Sequence, residues 1–187
     1  MTSSLSGRHQ DEQERVAVSN EEVVITAPQT ADDTRWLITL WQEEWGGETM
    51  VSHGQVYGLA DLQALVARCG HELVGAATYR IADTGCELMS INATRQGGGI
   101  GTKLLAAVEQ AALSAGCHRV WLITSNDNLN ALRFYQRRKY RMTAVYPGAI
   151  DAARQIKPTI PLVGDDGIEI HDEIELEKRL IEKGASV

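Results

Sequence analysis

Between Gln96 and Thr102 the chain reads Gln-Gly-Gly-Gly-Ile-Gly-Thr, set between an apolar, strand-like run and an amphipathic helix pattern. Four glycines within six positions leave the backbone bare, so that its N–H groups can close on a large anion. The helix predicted to begin near Gly99 has first-turn N–H groups with no partner inside the helix. Those donors and the positive end of the dipole suit phosphate oxygens, and the size of the loop points to a pyrophosphate. It is not a dinucleotide fingerprint, because counting G-x-G-x-x-G from Gly97 or Gly99 puts Thr102 or Leu104 at the last glycine. Nor is it a Walker loop, since no Lys-Ser or Lys-Thr pair follows the glycines.

The flanking patterns say what the loop is mounted on. Cys86 to Ala93 reads as the strand entering it. After it, Ile100, Leu104, Leu105, Val108, Ala111 and Ala112 recur at helical spacing as far as Gly116, and Val120 to Thr124 reads as a short apolar strand. Strand, helix, strand predicts a βαβ unit with parallel pairing and a right-handed crossover, and such folds bind ligands at the carboxyl ends of their strands. Leu65–Cys69 and Leu73–Ile81, joined by a turn at Gly70-His71 and followed by Asp83-Thr84-Gly85, predict an antiparallel meander before it.

Residues 1–20 are rich in Ser, Gln and charge and are expected to be a disordered tail ahead of one domain over 21–187. Val23 to Ile25 reads as a short strand. Thr30 with Asp33 predicts a capped helix carrying Trp36, Leu37, Leu40, Trp41 and Trp45 on one face and ending at Gly46-Gly47. From Thr49 to Leu59 the pattern is irregular, a loop that holds His53. Trp45 and His53 are the candidate substrate contacts, being at a helix end and in a loop. A second helix is expected from about Asp127 to Arg138 with Ser125, Asn126 or Asp127 as its cap. Met142 to Tyr146 is then a strand, Ala149 to Gln155 about one helical turn. Ile174 and Leu176 alternate with Glu173, Glu175 and Glu177 as a half-exposed closing strand. Asp165-Asp166-Gly167 lacks the ligand spacing of a calcium loop and reads as a turn, and no metal is expected.

Charge and cysteines narrow the partners. A formal net charge of −7 over 187 residues disfavours nucleic acid. Cys69, Cys86 and Cys117 are odd in number and unpatterned, which fits a reducing cytoplasm better than a disulfide framework. No apolar run approaches the roughly 20 residues of a membrane span, and the polar N-terminus does not read as a signal peptide.

Three motifs in order resemble the GNAT-type N-acetyltransferases. Gln96-x-x-Gly99-x-Gly101 matches their R/Q-x-x-G-x-G/A signature, Glu87 to Ile91 resembles the strand before it, and Asn128-x-x-Ala131-x-x-Phe134-Tyr135 resembles the Asn-led second motif. The fold this implies is α/β (α+β), a mixed, mostly antiparallel central sheet with a βαβ acetyl-CoA-binding core flanked by helices. The resemblance also implies direct acetyl transfer from acetyl-CoA to an amine of a small molecule or protein. Backbone at Ile91, Asn92 and Ala93 would pair with the pantetheine arm, and Gln96, Gly97, Gly98, Gly99, Gly101 and Thr102 would hold the pyrophosphate. Asn128 would contact the cofactor arm, a role compatible with capping the second helix.

On the same resemblance, Glu87 is the expected base, with burial raising its pKa, and Tyr135 the acid that protonates the departing thiolate. Cys86 offers an acetyl-cysteine route, but no histidine flanks it. Lys139-Tyr140 stands where Gly-Phe commonly closes the second motif, and Gln96 in place of Arg removes one positive charge near the phosphates. A catalytically silent acyl-CoA-binding module is the alternative, and pairing of such folds makes a homodimer an option.

Overall fold

The computed structural model describes residues 22–83, 85–95, 98–164 and 166–180; the tail expected at 1–20, Gln96 and Gly97 lie outside them. The described residues form one mixed sheet, a separate hairpin and four α-helices. In chain order these are β1 (Val23–Thr26), α1 (Ala31–Trp45), β2 (Thr49–Ser52), β3 (Gln55–Gly58), β4 (Gln63–Cys69), β5 (Glu72–Ala82) and β6 (Gly85–Ala93). There follow α2 (Ile100–Ser114), β7 (Arg119–Ser125), α3 (Leu129–Gln136), β8 (Arg141–Tyr146), α4 (Ala149–Ile156) and β9 (Glu173–Arg179). The sheet order is β1-β4-β5-β6-β7-β9-β8, antiparallel except where β6 meets β7. This is the mixed, mostly antiparallel sheet with a βαβ core that the sequence predicts. No helix among the described residues is long and apolar enough to cross a membrane.

Alternation along the central strands splits the core between two faces. Val66 and Ala76 pack under Leu37, Leu40 and Trp41 of α1. Their neighbours Ala67 and Ala77 face the other way, onto Leu104, Leu105 and Val108 of α2 and Leu132 and Tyr135 of α3. Thr30 caps α1 by accepting the Asp33 N–H at 3.1 Å, and Gly46 ends it at φ 64. The Asp33 carboxylate reaches back to the Gln29 N–H and across to Arg68 of β4 at 2.8 Å, tying the helix start to the sheet.

Two structural features position the site. First, β6 and β7 pair in parallel over only three residue pairs, Gly85–Arg119 to Glu87–Trp121. Beyond Glu87, β6 carries an extra residue relative to β5: Tyr79 faces Leu88 and Thr78 faces Ser90, leaving Met89 as a bulge. A bulge bends its strand and increases its twist, so β6 veers from β7 at this point and its outer N–H and C=O groups are free for an added strand. Second, the segment Thr49–Leu59 is not irregular. It is the β2–β3 hairpin, closed by His53 at φ 48 and Gly54 at φ 71. Positive φ at both loop residues is the type I′ turn, which ordinarily carries Asn-Gly; histidine in the first place disguised it.

Other expectations also change. Of the cap candidates, Asn128 caps α3, its side chain accepting the Ala131 N–H at 3.0 Å, while Ser125, Asn126 and Asp127 precede the cap. Residues 149–156 make a two-turn helix instead of one turn. The strand β9 runs inside the sheet between β7 and β8; most of it is partly exposed, with Leu176 fully buried, but Glu173, expected on its polar side, is only 3% exposed.

Candidate active site

The splayed strands open a cleft of about 430 Å³. Its floor is β6 (Glu87, Leu88, Met89) and β7 (Ile123, Thr124, Ser125), and its far wall is the end of α1 with β2, faced by α4 and the segment after it. Sequence candidates Glu87, Trp45 and Asn128 all line it.

At the loop end, Gly98 and Gly99 adopt φ 64 and 67, left-handed conformations that a side chain would strain. A Cβ built at Gly99 meets nothing within 4 Å, so the turn faces open space. Gly99 is the N-cap of α2 with no side chain capping it, and the first helical bond is Lys103 N–H to Gly99 C=O. The N–H groups of Ile100, Gly101 and Thr102 therefore have no partner within the helix, as an anion cradle requires. A Cβ at Gly101 would sit 3.4 Å from the Phe134 ring, in van der Waals contact, so α2 lies against α3 at this turn.

A residue the sequence reading missed stands beside this cradle. Arg138, just past α3, lies 3.6 Å over the Phe134 ring and donates to the Thr102 hydroxyl from Nε at 3.2 Å and from a terminal nitrogen at 2.5 Å. Among the described residues it has no carboxylate partner. A guanidinium held against the positive end of a helix without an intervening anion is electrostatically unfavourable, so the pair suits an anionic ligand. Its charge adds to the cradle a cation that the sequence reading did not assign. The donors, the open turn and the splayed strand edge fit the diphosphate and pantetheine parts of CoA. Ile91 and Asn92 are half-buried and Ala93 exposed, on the free stretch of β6. The Asn92 side chain is held from the α1 end, accepting from Trp45 Nε1 at 3.2 Å and donating to Glu44 at 3.0 Å.

At the opposite end, Glu87 is 3% exposed and both its oxygens are taken. Ser52 Oγ of β2 donates to Oε1 at 2.6 Å and Arg80 Nε of β5 to Oε2 at 2.7 Å. Arg80 is itself seated over the Tyr57 ring of β3 at 4.9 Å, so the hairpin fixes Glu87 from two sides. The second carboxylate here is Glu173, which the sequence reading gave only as the polar side of an alternating strand. It lines the same cleft, and its buried Oε2 has no hydrogen-bond partner. Desolvation pushes its carboxyl pKa above the ordinary value, against the opposing pull of His53 and with the Glu87 charge adding to the rise.

His53 does not line the cleft itself. At the hairpin tip it stands between two β9 carboxylates, with Nδ1 3.8 Å from Glu173 Oε2 and Nε2 3.8 Å from Glu175 Oε2. Its ring packs edge-on against Tyr146 at 4.7 Å and tilted against Trp121 at 5.6 Å.

Tyr135 lies in the core beneath α3, 6% exposed, edge-on to Phe134 at 5.1 Å, and is not among the cleft-lining residues. Burial pushes its phenol well above the ordinary range, which keeps the proton on. Cys86 is fully buried and its thiol is pushed up to about 12, first by desolvation, so no thiolate is at hand for an acetyl-cysteine route. Lys139 takes the left-handed conformation that its motif position calls for, at φ 71.

Residues 32–140 match the model of the Acetyltransferase (GNAT) family. Over 153 residues the chain is 38% identical to the uncharacterized protein YdhI of Bacillus subtilis (strain 168), covering 81% of this chain and 96% of that protein. Among solved structures, a Bacillus subtilis acetyltransferase in complex with CoA aligns at TM-score 0.65 and 18% identity, over 86% of this chain and 100% of the other. A GNAT family acetyltransferase from Elizabethkingia anophelis with acetyl-CoA bound aligns at TM-score 0.61 and 21% identity, over 84% and 98%. The structural likenesses speak to the fold; the family match spans more than half of the sequence, and the cradle and open strand edge provide for CoA. With its sheet parted beside an open glycine turn, the chain belongs to the GNAT acetyltransferase family, whose chemistry is acyl transfer.

Proposed function

We propose that the protein moves an acetyl group from acetyl-CoA directly to an amine. The observation that carries this reading is the parted β6–β7 edge, with an anion cradle at one end and buried carboxylates at the other. Acetyl-CoA supplies the activated thioester carbonyl. Gly98, Gly99, Gly101 and Thr102, with Arg138, hold the diphosphate, together with Gln96 and Gly97 of the same sequence signature. Backbone of Ile91, Asn92 and Ala93 pairs with the pantetheine arm, while an N–H near Ile91 or Asn92 receives the developing oxyanion without any side chain. Asn128 borders the cleft and fixes the start of α3.

An amine attacks only after losing a proton. The carboxylates at the acceptor end draw that proton off, Glu87 acting through Ser52 or a water because both its oxygens already carry donors. Tyr135, kept protonated by burial, supplies a proton towards the leaving thiolate. Trp45 borders the acceptor. Buried, reduced thiols at Cys69, Cys86 and Cys117 suit a reducing compartment such as the cytoplasm.

Calorimetric titration with acetyl-CoA, against ATP and NADH as controls, tests the cradle. Acetyl-CoA alone should bind, and Arg138→Ala should weaken it by roughly tenfold, in line with loss of one charge-assisted contact. Thiol release on adding amines tests transfer. Glu87→Gln and Tyr135→Phe should each lower turnover by roughly a hundredfold with acetyl-CoA affinity unchanged. Full rates in both would overturn their assignment. Tight acetyl-CoA binding without thiol release for any amine would favour a silent acyl-CoA-binding module.

A further inference from the structure

We propose that Glu173 is the seat of the acceptor's ammonium group and the first acceptor of its proton, and that the acceptor is a cationic primary amine on an apolar body. The proposal rests on the acyl-transfer reading above and specifies the substrate side of the same cleft. Two independent observations lead to it. Glu173 is only 3% exposed and lines the cleft, and although the His53 backbone N–H bears on its carboxylate, Oε2 has no hydrogen-bond partner. An unsatisfied buried carboxylate oxygen is costly, and an ammonium donor would relieve that cost. Glu87, by contrast, has Ser52 on one oxygen and Arg80 on the other.

The rest of the cleft selects the class of amine. Its walls include Met50, Ile123, Ile150, Ile160 and Pro161, which suit an apolar body. The only cation among its described lining residues is Lys157, whose Nζ is already donated to the carbonyls of Trp45 at 2.6 Å and Thr49 at 2.7 Å. The lining carboxylates Glu44, Glu87 and Glu173 outnumber that one cation, so the cleft favours an acceptor whose net charge is positive over a zwitterion. Free amino acids are therefore selected against.

In the step itself an N–H bond of the ammonium breaks, its electron pair stays on nitrogen, and the proton goes to Glu173 Oε2. The freed lone pair forms the bond to the acyl carbon of the CoA thioester; as the C–S bond breaks its electron pair stays on sulfur, and the second proton lost by the acylated nitrogen ends on that sulfur, giving the amide and the CoA thiol. His53 Nδ1 stands 3.8 Å from Oε2 on a ring with 36% side-chain exposure, and takes the proton onward to solvent. Besides desolvation, the groups that set the titration of Glu173 are His53 on the hairpin, whose charge and backbone N–H both favour the carboxylate, and Glu87 on β6; Glu175 faces the same ring and accepts from Tyr146 and Thr143 of β8. Arg80 and Arg119 hold the neighbouring charges of Glu87 and Glu177.

The test uses the full chain and n-butylammonium as probe, with n-butanol and glycine as controls, read from the His53 imidazole signal by NMR. A saturable shift is expected with butylammonium and not with either control, with affinity falling as pH drops and Glu173 is protonated. Glu173→Gln should weaken it by at least about tenfold. No saturable shift, equal binding of butanol, or unchanged affinity in Glu173→Gln overturns the proposal. The contrast between butylammonium and butanol in the unaltered protein needs no variant to fold. Thiol release from acetyl-CoA with primary amines is scored separately. Butylammonium binding without thiol release fails the transfer reading and leaves the seat standing. Where thiol is released, Glu173→Gln should lower kcat/KM roughly a hundredfold and remove the acid limb of its pH profile, which a merely structural glutamate would leave in place. An intact acid limb refutes the proton-accepting role while transfer itself stands.

Discussion

Lys139 sits at φ 71 where its N–H reaches Gln136 C=O at 3.0 Å and the next residue, Tyr140, reaches Tyr135 C=O at 3.1 Å. These two bonds are the Schellman closure of α3, and the left-handed position is the one glycine ordinarily fills. The lysine side chain is exposed, so nothing in the core depends on it. Lys139→Gly should therefore raise stability by about 1 kcal/mol, the steric relief exceeding the extra freedom given to the unfolded chain. Urea unfolding would read this as a higher midpoint at unchanged slope. A lower midpoint would mean that lysine bears a contact the structure does not contain. Residue identities also mark what could be read in advance. Glu87, Asn128 and the glycines stood in recognisable motifs, and Lys139 was legible as a departure from one. Arg138 and Glu173 were not, because each matters through a neighbour far along the chain: Thr102 for one, the bulged end of β6 and the hairpin tip for the other.

The elements divide in the same way. Glycine loop, α2 and β7 announced themselves through a switch from alternating to helical periodicity, a local signal. The hairpin β2–β3 did not, since it has only four residues a side and a His-Gly turn. The placement of β9 escaped too, since strand order is set by pairing and not by spacing. Packing between β5, β6 and α2 carries a sharper consequence. A Cβ on Gly75 would stand 2.7 Å from the Asn92 carbonyl and about as close to α2, at 3.0 Å from Ile100 and 3.1 Å from Leu104. The carbonyl belongs to backbone and cannot rotate away, so Gly75→Ala must push β6 off β5 or α2 off the sheet. A destabilisation of about 1–3 kcal/mol is expected, the range for overpacking a core. Acetyl-CoA affinity should fall further than global stability accounts for, because Asn92 lies on the strand edge assigned to the pantetheine arm. Equal affinity in a folded Gly75→Ala protein would remove that edge from the binding surface.

Across the whole molecule, two buried carboxylates pull stability in opposite directions with pH. Asp33 is held at about 2 by the Gln29 N–H, then by Arg68 and Thr30. A carboxyl depressed on folding contributes stability that is present above its ordinary 3.8 and lost as pH falls towards 2. Glu173 is raised above 4.5, chiefly by desolvation. A carboxyl raised on folding gives its full contribution below that ordinary value and loses it as pH climbs through the folded pKa. At neutral and alkaline pH the fold thus bears the cost of a buried, under-satisfied charge beside the cleft, a cost that suits a group kept for a ligand. Removing the charge while keeping the shape should separate the two demands. Glu173→Gln is expected to raise Tm by a few degrees at pH 8. That gain should shrink as pH falls and vanish near pH 4, where the wild-type carboxyl is already protonated. Asp33→Asn should do the reverse, lowering Tm at pH 7 and converging with wild type near pH 2. A Glu173→Gln protein that is less stable at pH 8 would show that the carboxylate is held by the fold itself, and would take away the physical reason for placing an ammonium group against it.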